Sequence, residues 1–300
     1  MIYKLTADGI DILNYSNNIT FDSDCDTLSC TLKFDSLSSI RMGGVISFFI
    51  DGFEVFRGTV IDCQESKFTY SYTCYDYAQY LNNEVIKQFN KIDATRAMST
   101  LLLEYDIAHA IVNIPTIIDK FYKDESIGNV IDDILEQATN DQGKNYYKEI
   151  IGNMLYIDDL ESKYIYPKFI IENDNNIGYS LTNMKNKIIV VSGDEDSAKV
   201  QAVAYDPYNK GRYGLYQQVE TIDDKDIAQA QNVANNLLKQ LNRVEHETTL
   251  NIVVLDRGET IRANRLIYIE TDKLKGWYKI SSANHTVTNG VHKASIKLEW

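Results

Sequence analysis

Residues 43–76 read GGVISFFIDGFEVFRGTVIDCQESKFTYSYTCYD, and apolar residues occupy every second position through most of this stretch. Such alternation, rich in β-branched and aromatic residues, is typical of half-buried strands and predicts three of them, at 45–50, 55–63 and 68–75. Two more are predicted upstream, at 19–21 and 28–34. A strand about every ten residues favours an antiparallel barrel or sandwich over a parallel α/β sheet.

The C-terminal residues 263–300, ANRLIYIETDKLKGWYKISSANHTVTNGVHKASIKLEW, repeat the order of elements found in 43–76. Each segment has a short apolar strand, a polar turn with glycine, a longer strand that begins with aromatic residues, another polar turn and a closing alternating strand. We favour two copies of one β-barrel fold within the chain, while two unrelated three-stranded meanders stay an alternative. Strands between and within these segments are predicted at 187–192, 199–205, 250–255, 266–270, 277–282 and 291–298.

The middle of the chain changes to helical periodicity. Asp93 and Ser126 are suitable N-caps for two helices whose apolar residues recur every three or four positions. Strands at 146–151 and 154–157 follow, joined by Gly152-Asn153, a pair suited to a two-residue hairpin turn. These elements predict an insertion that combines helices with a small sheet.

A third amphipathic helix is predicted at about 226–243, with Asp223, Asp224 and Asp226 at the end where the helix dipole favours acids. The chain therefore divides into a strand-rich part at 1–84, a helix-plus-hairpin insertion at 85–168, and a second strand-rich part at 169–300 that contains this helix. The predicted fold class is α+β and mainly β.

The charge is strongly negative and unevenly distributed. The 300 residues carry a net charge of -13, of which 1–84 contribute -7, 85–168 contribute -5 and 169–300 contribute -1. Such acidity argues against specific nucleic-acid binding, which needs clustered Lys and Arg. Charges in the first residues and the lack of any run of about 18 apolar residues predict a protein made in the bacterial cytoplasm, without membrane insertion.

No sequence pattern points to catalysis. Phosphate-binding loops, nucleophile elbows, zinc-protease and calcium-loop motifs are missing, and the four cysteines contain no CxxC pair. Cys30 and Cys74 fall on apolar strand faces and are interpreted as core residues. A hairpin near Asn289-Gly290 should bring His285 and His292 together, but two ligands do not make a zinc site. We assign no catalytic, cofactor or metal residues and expect a protein that is not an enzyme.

The acidic triplet Asp194-Glu195-Asp196 is the one candidate for a catalytic carboxylate pair. It lies in a turn beside Gly193, where a carboxyl group has little reason to acquire the raised pKa of a catalytic acid. The 21 tyrosines could form sugar-stacking surfaces, although most fall on strand alternation, where Tyr is common. A cell-wall-acting hydrolase or a carbohydrate-binding β-protein is therefore the alternative function.

Several segments together resemble a known family. They are DGFEVFRG (51–58), YDYAQYLNN (75–83), SLTNMKNKIIV (180–190), YGLYQQVET (213–221), the helix at 226–243, and the closing WYKISSANH (277–285) and HKASIKLEW (292–300). In order and spacing they resemble the XkdQ-type baseplate hub proteins of contractile phage tails and tailocins, within the late-control-protein-D superfamily. The resemblance covers the whole length, and no single motif in it is diagnostic.

This resemblance implies two tube-like antiparallel β-barrel domains separated by the inserted helical domain. It also implies a homotrimer whose six barrels adapt a hexameric tail tube to a trimeric spike, with baseplate wedge and tape-measure proteins as further partners. The chain would then be a component of a virion or tailocin particle, and the sequence leaves open which. We further expect the insertion on the outside of the ring and a channel lined by acids such as Asp22, Asp24, Asp26 and Asp35.

Overall fold

The computed structural model describes residues 1–25, 29–160, 163–172, 176–193 and 198–300, and at 224–226 it describes the backbone alone. The fold is mainly β with a smaller helical part, and its largest feature is a curled antiparallel sheet. The predicted α+β, mainly β class is therefore confirmed. None of the described helices is long and apolar enough to cross a bilayer.

The N-terminal part consists almost entirely of strands. A 3-10 turn at Leu13–Tyr15 separates the second strand from the third. The strands are β1 (Tyr3–Ala7), β2 (Ile10–Asp11), β3 (Ser16–Asp24), β4 (Thr31–Ser36), β5 (Val45–Ile50), β6 (Phe53–Glu65) and β7 (Tyr70–Asp76).

The insertion combines strands with two helices, reached through a 3-10 segment at Tyr77–Asn82. Asp93 caps the first helix by accepting a hydrogen bond from the Arg96 amide, and Ser126 caps the second by accepting one from Asn129. Both predicted caps are confirmed. The elements are β8 (Glu84–Asp93), α1 (Ala94–Glu104), β9 (His109–Ile111), β10 (Ile117–Ser126), α2 (Ile127–Gln142), β11 (Tyr146–Ile151) and β12 (Met154–Asp159).

Two features of the insertion concern its strands. The hairpin at Gly152-Asn153 is confirmed, because Ile151 pairs with Met154 across it. The ten-residue ribbon of β8 and β10 was not predicted. Along β8 only Val85 and Phe89 are buried, four positions apart, so the alternation that identifies a strand is weak there.

The C-terminal part contains the remaining strands, two helices and 3-10 turns at Asp224–Gln229 and Gly258–Thr260. The predicted helix at 226–243 is shorter, because its first turn is 3-10. The elements are β13 (Tyr164–Ile165), β14 (Lys168–Ile171), β15 (Gly178–Ser180), β16 (Lys187–Ser192), β17 (Lys199–Tyr205), α3 (Pro207–Tyr213), β18 (Gln217–Ile222), α4 (Ala230–Leu241), β19 (Glu245–Asp256), β20 (Arg265–Glu270), β21 (Lys275–Thr288) and β22 (Val291–Glu299).

The two segments that echo each other in sequence form meanders of the same topology. In the first, β6 pairs with β5 through residues 53–59 and with β7 through residues 58–65. In the second, β21 pairs with β20 through residues 275–280 and with β22 through residues 279–288. In both meanders, the first half of the long middle strand pairs with the preceding strand, and its second half pairs with the following strand.

One strand pair joins these curled halves into a single sheet. β3 runs antiparallel to β21, with Phe21 opposite His285 and Asp24 opposite Ser282. The main path of the sheet is β14-β19-β22-β21-β3-β4-β7-β6-β5-β1-β2. The apolar cluster of the N-terminal half even includes Val287 from β21. The halves are therefore joined edge to edge rather than by a linker.

The described residues form four apolar clusters. One lies within each curled half, one lies in the insertion, and the fourth lies between α4 and the three-stranded sheet of β17, β16 and β18. The range 169–300 thus contains two clusters. The division into 1–84, 85–168 and 169–300 stays a prediction.

Candidate functional site

Charged side chains are buried where the insertion meets both halves of the sheet. Arg265 at the start of β20 donates from Nη2 to both carboxylate oxygens of Glu149 on β11, at 2.6 and 2.8 Å. The two side chains are only 10% and 11% exposed. Because an unpaired buried charge is costly, each of these groups depends on the other.

Arg262, three residues before Arg265, contacts all three parts of the chain. Its Nη1 donates to the carbonyl of Val55 at 2.9 Å, and its Nη2 donates to the carbonyl of Ile150 at 3.2 Å. Its Nε lies 3.6 Å from a carboxylate oxygen of Glu149. Val55 belongs to the N-terminal half, Ile150 to the insertion and Arg262 to the C-terminal part. We call Glu149, Arg262 and Arg265 the junction triad.

Asp76 is buried near the junction triad, at the end of β7. Its carboxylate accepts hydrogen bonds from the amides of Cys30 at 3.0 Å and Ala78 at 3.1 Å, and the second of these caps the 3-10 segment that starts the insertion. Burial raises the pKa of Asp76 to about 7, against the lowering effect of those bonds and of the nearby Arg262. Here β7 packs closely on Gly58, where a Cβ would lie 2.0 Å from the Tyr75 carbonyl oxygen.

The C-terminal end of α2 is held by two amide side chains of α4. Asn232 donates to the carbonyl of Asp141 at 2.6 Å, and Asn236 donates to the carbonyl of Asn140 at 2.8 Å. The last carbonyls of a helix lack partners within the helix, so these amides act as a cap from outside. The contact ties the insertion to the small sheet that α4 covers.

The structure brings the two predicted histidines together. His285 and His292 are buried, and their Nδ1 and Nε2 atoms lie 2.8 Å apart. His285 Nε2 lies 2.9 Å from the Ile261 carbonyl oxygen, which can only accept, so this nitrogen carries the proton. His285 Nδ1 is then an acceptor for His292 Nε2–H, and the buried His292 Nδ1 has no hydrogen-bond partner.

Burial holds the histidine pair neutral. Desolvation lowers the pKa of both rings, and for His285 the neighbouring His292 lowers it further. Phe21 of β3 stacks on His285 with ring centroids 4.3 Å apart, so the pair packs into the seam between the two halves. The hairpin predicted near Asn289-Gly290 brings the two rings together, and the geometry is that of a structural hydrogen bond between strands.

The sequence also singled out several acids, and the structure describes some of them. The acidic triplet Asp194-Glu195-Asp196 and the proposed channel residue Asp26 lie outside the described residues. Of the other proposed channel acids, Asp22 accepts from the Thr31 amide and Asp35 from the Ser71 hydroxyl. Within the described ranges, no three His, Cys, Asp or Glu side chains are grouped to hold a metal ion.

The cysteines behave as core or strand residues. None of the four is in a disulfide, and Cys30 and Cys74 are buried. Burial raises the pKa of Cys74 to about 12 and that of Cys30 further, which leaves both as unreactive thiols.

Sequence reasoning missed the junction triad. Of its three residues, only Arg265 could have been identified from the sequence, because it falls on the same face of β20 as the buried Ile267 and Ile269. A cation on the apolar side of an alternating strand indicates a buried partner. Nothing in the sequence identified that partner as Glu149, 116 residues earlier.

Comparison with known proteins gives one family and a small set of relatives. A sequence model of the YqbQ-like family matches residues 15–299. YqbQ of Bacillus subtilis (strain 168) is 26% identical over 275 residues, which cover 87% of this chain and 82% of that protein. The phage-like element PBSX protein XkdQ of the same strain is 25% identical over 275 residues, covering 86% and 82%.

Solved structures share the fold over nearly the whole chain. The 43 kDa tail protein of prophage MuSo2 from Shewanella oneidensis superposes with a TM-score of 0.72 and 14% identity. The match covers 99% of this chain and 97% of that one. At such low identity the likeness concerns the fold, which includes both curled halves and the insertion between them.

Proposed function

The chain belongs to the YqbQ-like family, and on that premise we propose that it is the baseplate hub of a contractile phage-type tail. Homology to XkdQ and a fold shared with a prophage tail protein make it a structural protein of phage tail type. The hub role is the more specific step. It would place this chain between the tail tube and the spike.

The observation that carries the proposal is the edge-to-edge pairing of β3 with β21. One chain thereby presents two curled antiparallel units of related topology side by side in one sheet. A hub that adapts between symmetries needs such a chain, since three copies with two tube-like units each provide six. A hexameric tube could then sit on one side of the ring and a trimeric spike on the other.

The junction triad supports a mechanical role for the insertion. Arg262 hydrogen-bonds to the N-terminal half and to the insertion at once, so the insertion is fixed against the sheet. We place the insertion on the outside of the ring, where it can contact baseplate wedge, tape-measure or spike proteins. A map of the particle that showed residues 85–168 inside the channel would contradict this placement.

The channel of such a ring would be acidic. The excess of -7 in residues 1–84 supports this, because like charges in a confined channel repel a passing phosphate backbone. In a tailocin the same lining would be inherited or would serve ion passage. A channel lined mainly by Lys and Arg would contradict the proposal.

The test is the symmetry of this chain in the assembled particle, imaged by cryo-electron microscopy. We expect threefold density with two tube-like units per chain, continuous with a sixfold tube. Sixfold or single-copy density for the chain would overturn the hub assignment. Genes for tape-measure, LysM-type tail and baseplate wedge proteins are expected beside its own gene, whether the particle is a phage or a tailocin.

We further propose that the protein is not an enzyme, with a cell-wall-acting or carbohydrate-binding role as the competing function. The relatives of phage tail type support the structural role. Zymography of the purified protein on peptidoglycan separates the two. Clearing that disappears when Asp194, Glu195 or Asp196 is changed to alanine would favour the hydrolase.

A further inference from the structure

The small sheet of β17, β16 and β18 has two different faces. One face is covered by α4, where Ile188 and Val190 of β16 pack against Ala234 and Leu237. The strand order places β16 in the centre, antiparallel to β17 and parallel to β18. Side chains at alternate positions point to the opposite face.

The opposite face carries a row of aliphatic side chains across all three strands. Ile189 in the centre is paired with Val203 on one side and Val219 on the other. Val203 is 40% exposed and Val219 is 55% exposed. A solvated sheet face is normally polar, because alternation places the apolar residues in the core. In this row, by contrast, apolar side chains lie on the face of the sheet that is exposed to solvent.

The neighbouring rows extend the apolar surface. Val191 is paired with Val200, which is 62% exposed, and Lys187 is paired with Tyr205, which is 58% exposed. We call Ile189, Val191, Val200, Val203, Tyr205 and Val219 the open sheet face. No described element packs over it to the extent that α4 covers the other side, and contiguous exposed apolar patches mark interaction sites.

The flanking charge indicates what kind of surface can cover the open sheet face. Lys187 lies in the row of Tyr205, and the chain continues from β17 into α3, which carries Lys210 and Arg212 in its last turn. This end of the small sheet therefore carries more cations than acids, even with the Asp206 carboxylate that caps α3. Residues 1–84, which contain the N-terminal half of the sheet, have the opposite charge, -7, with exposed acids that include Asp62 and Glu65.

We propose that a second copy of this chain covers the open sheet face with its N-terminal half, whose exposed acids meet the basic end of the small sheet. The inference rests on the proposed hub and names the contact between neighbours in its ring. A heterologous contact, in which two different surfaces meet, generates a ring when the rotation between neighbouring copies closes. The contact also buries an apolar surface that is exposed to solvent in each isolated chain.

Charge disfavours a symmetric pair of open sheet faces, because such a pair would bring the Lys187 side chains towards each other if their ends were aligned. Strand spacing of about 4.8 Å and a rise of about 3.3 Å per residue give three strands by three rows an area of roughly 300 Å². A stable dimer needs about 800 Å² from each partner, so the open sheet face is one part of a larger interface between the two copies.

Photo-cross-linking in the assembled particle tests the contact. A benzoylphenylalanine placed at Val203 should yield an adduct of two copies, with the second copy attached through residues 1–84 when mapped by mass spectrometry. The same residue placed at Ile86, which is 68% exposed on β8, is the matched control and should give no such adduct. An adduct through residues 187–221 of the second copy, an adduct with another protein, or no adduct would each overturn the inference.

Charge substitution provides a second readout. The double variant V203D/V219D changes only exposed side chains, so the purified chain should keep its thermal unfolding temperature, while its incorporation into particles should fall at least tenfold. The control V203I/V219I keeps both side chains apolar and should be incorporated normally. Normal incorporation of V203D/V219D would overturn the inference, and if that variant fails to fold, the cross-link decides alone. Threefold particles without the adduct refute this contact while leaving the hub intact.

Discussion

The guanidinium of Arg262 lies against the backbone of Val55, with Nη1 donating a hydrogen bond of 2.9 Å to the Val55 carbonyl oxygen. The two residues are 207 positions apart in the chain. The same guanidinium donates to Ile150, so one side chain satisfies carbonyl groups from two other parts of the fold. Removal of the Arg262 side chain should therefore destabilise all three parts of the fold.

We therefore expect R262A to lower the free energy of unfolding by about 2–4 kcal/mol, because it leaves the Val55 and Ile150 carbonyls without their donor. Urea unfolding monitored by tryptophan fluorescence measures the loss. The control K275A removes a partner of Glu270 in an exposed ion pair and should leave stability unchanged. Equal effects of the two substitutions would contradict the role of Arg262.

The buried pair of Glu149 and Arg265 should behave as a unit. Removing the shared carboxylate, as in E149L, leaves the buried Arg265 uncompensated and should cost about 3–5 kcal/mol. R265M should cost less, because Arg262 still lies 3.6 Å from Glu149. The double variant E149L/R265M should cost less than the sum of the two single losses, because the two removed groups are partners of each other, and the loss that remains includes Arg262 without its carboxylate. Additive losses in the double-mutant cycle would show that the pair is not coupled.

Gly258 packs on the ring of His292, and alanine there should not fit. A Cβ at this position would lie 2.7 Å from Cε1 and 2.9 Å from Nδ1 of His292. We expect G258A to lower the unfolding temperature, with a cost of about 1–3 kcal/mol. At Gly211 a Cβ has no heavy atom within 4 Å, so G211A is the matched control and should be neutral or slightly stabilising.

The histidine pair should make the fold sensitive to acid. Burial lowers the pKa of His285 and His292 in the fold, whereas in the unfolded chain each titrates near 6.5. The unfolded state therefore binds more protons as the pH falls below about 6.5, and stability is lost in that direction. Above that pH the contribution no longer changes.

The variant H285L/H292L tests this dependence. It should unfold with a shallower decline between pH 7 and pH 4.5 than the original protein, each compared with its own stability at pH 8. Thermal unfolding followed by circular dichroism across that range is sufficient. Parallel declines in the two proteins would show that the pair does not titrate between the folded and unfolded states.

Asp76 should make stability depend on pH in the opposite direction from the histidine pair. Its folded pKa is raised to about 7 by burial, so between about pH 4 and pH 7 the folded state holds a proton that the unfolded state has lost. Stability should therefore decline as the pH rises through that window. D76N cannot ionise, so its disadvantage relative to the original protein should be largest near pH 4 and shrink towards pH 7. A disadvantage that grows with pH would contradict the raised pKa.

Local patterns in the sequence predicted most of the elements. The alternation at 43–76, the caps Asp93 and Ser126 and the Gly152-Asn153 turn all depend on neighbouring residues, and periodicity records neighbours. The His285–His292 contact was predictable for the same reason, since a hairpin turn brings the two together. The β8–β10 ribbon was missed because its buried positions are too sparse.

Long-range pairing could not be predicted in this way. Nothing in the composition of β3 specifies β21 as its neighbour, because the edge of a strand exposes the same amide and carbonyl groups whatever its sequence. The junction triad depends on that pairing and on the placement of β11, so its members Glu149 and Arg262 had no local signal. Only the inward position of Arg265 could have suggested a buried ion pair.

The pairing of β3 with β21 also determines when the protein can finish folding during its synthesis. Val287 belongs to the apolar cluster of the N-terminal half, so that half stays incomplete until residue 287 has left the ribosome. At about 5–20 residues per second the delay is tens of seconds, during which the unpaired edge of β3 is open to chaperones or to aggregation. A chain that ended before β21 would lack the partner strand of β3 and could not complete even the apolar cluster of its N-terminal half.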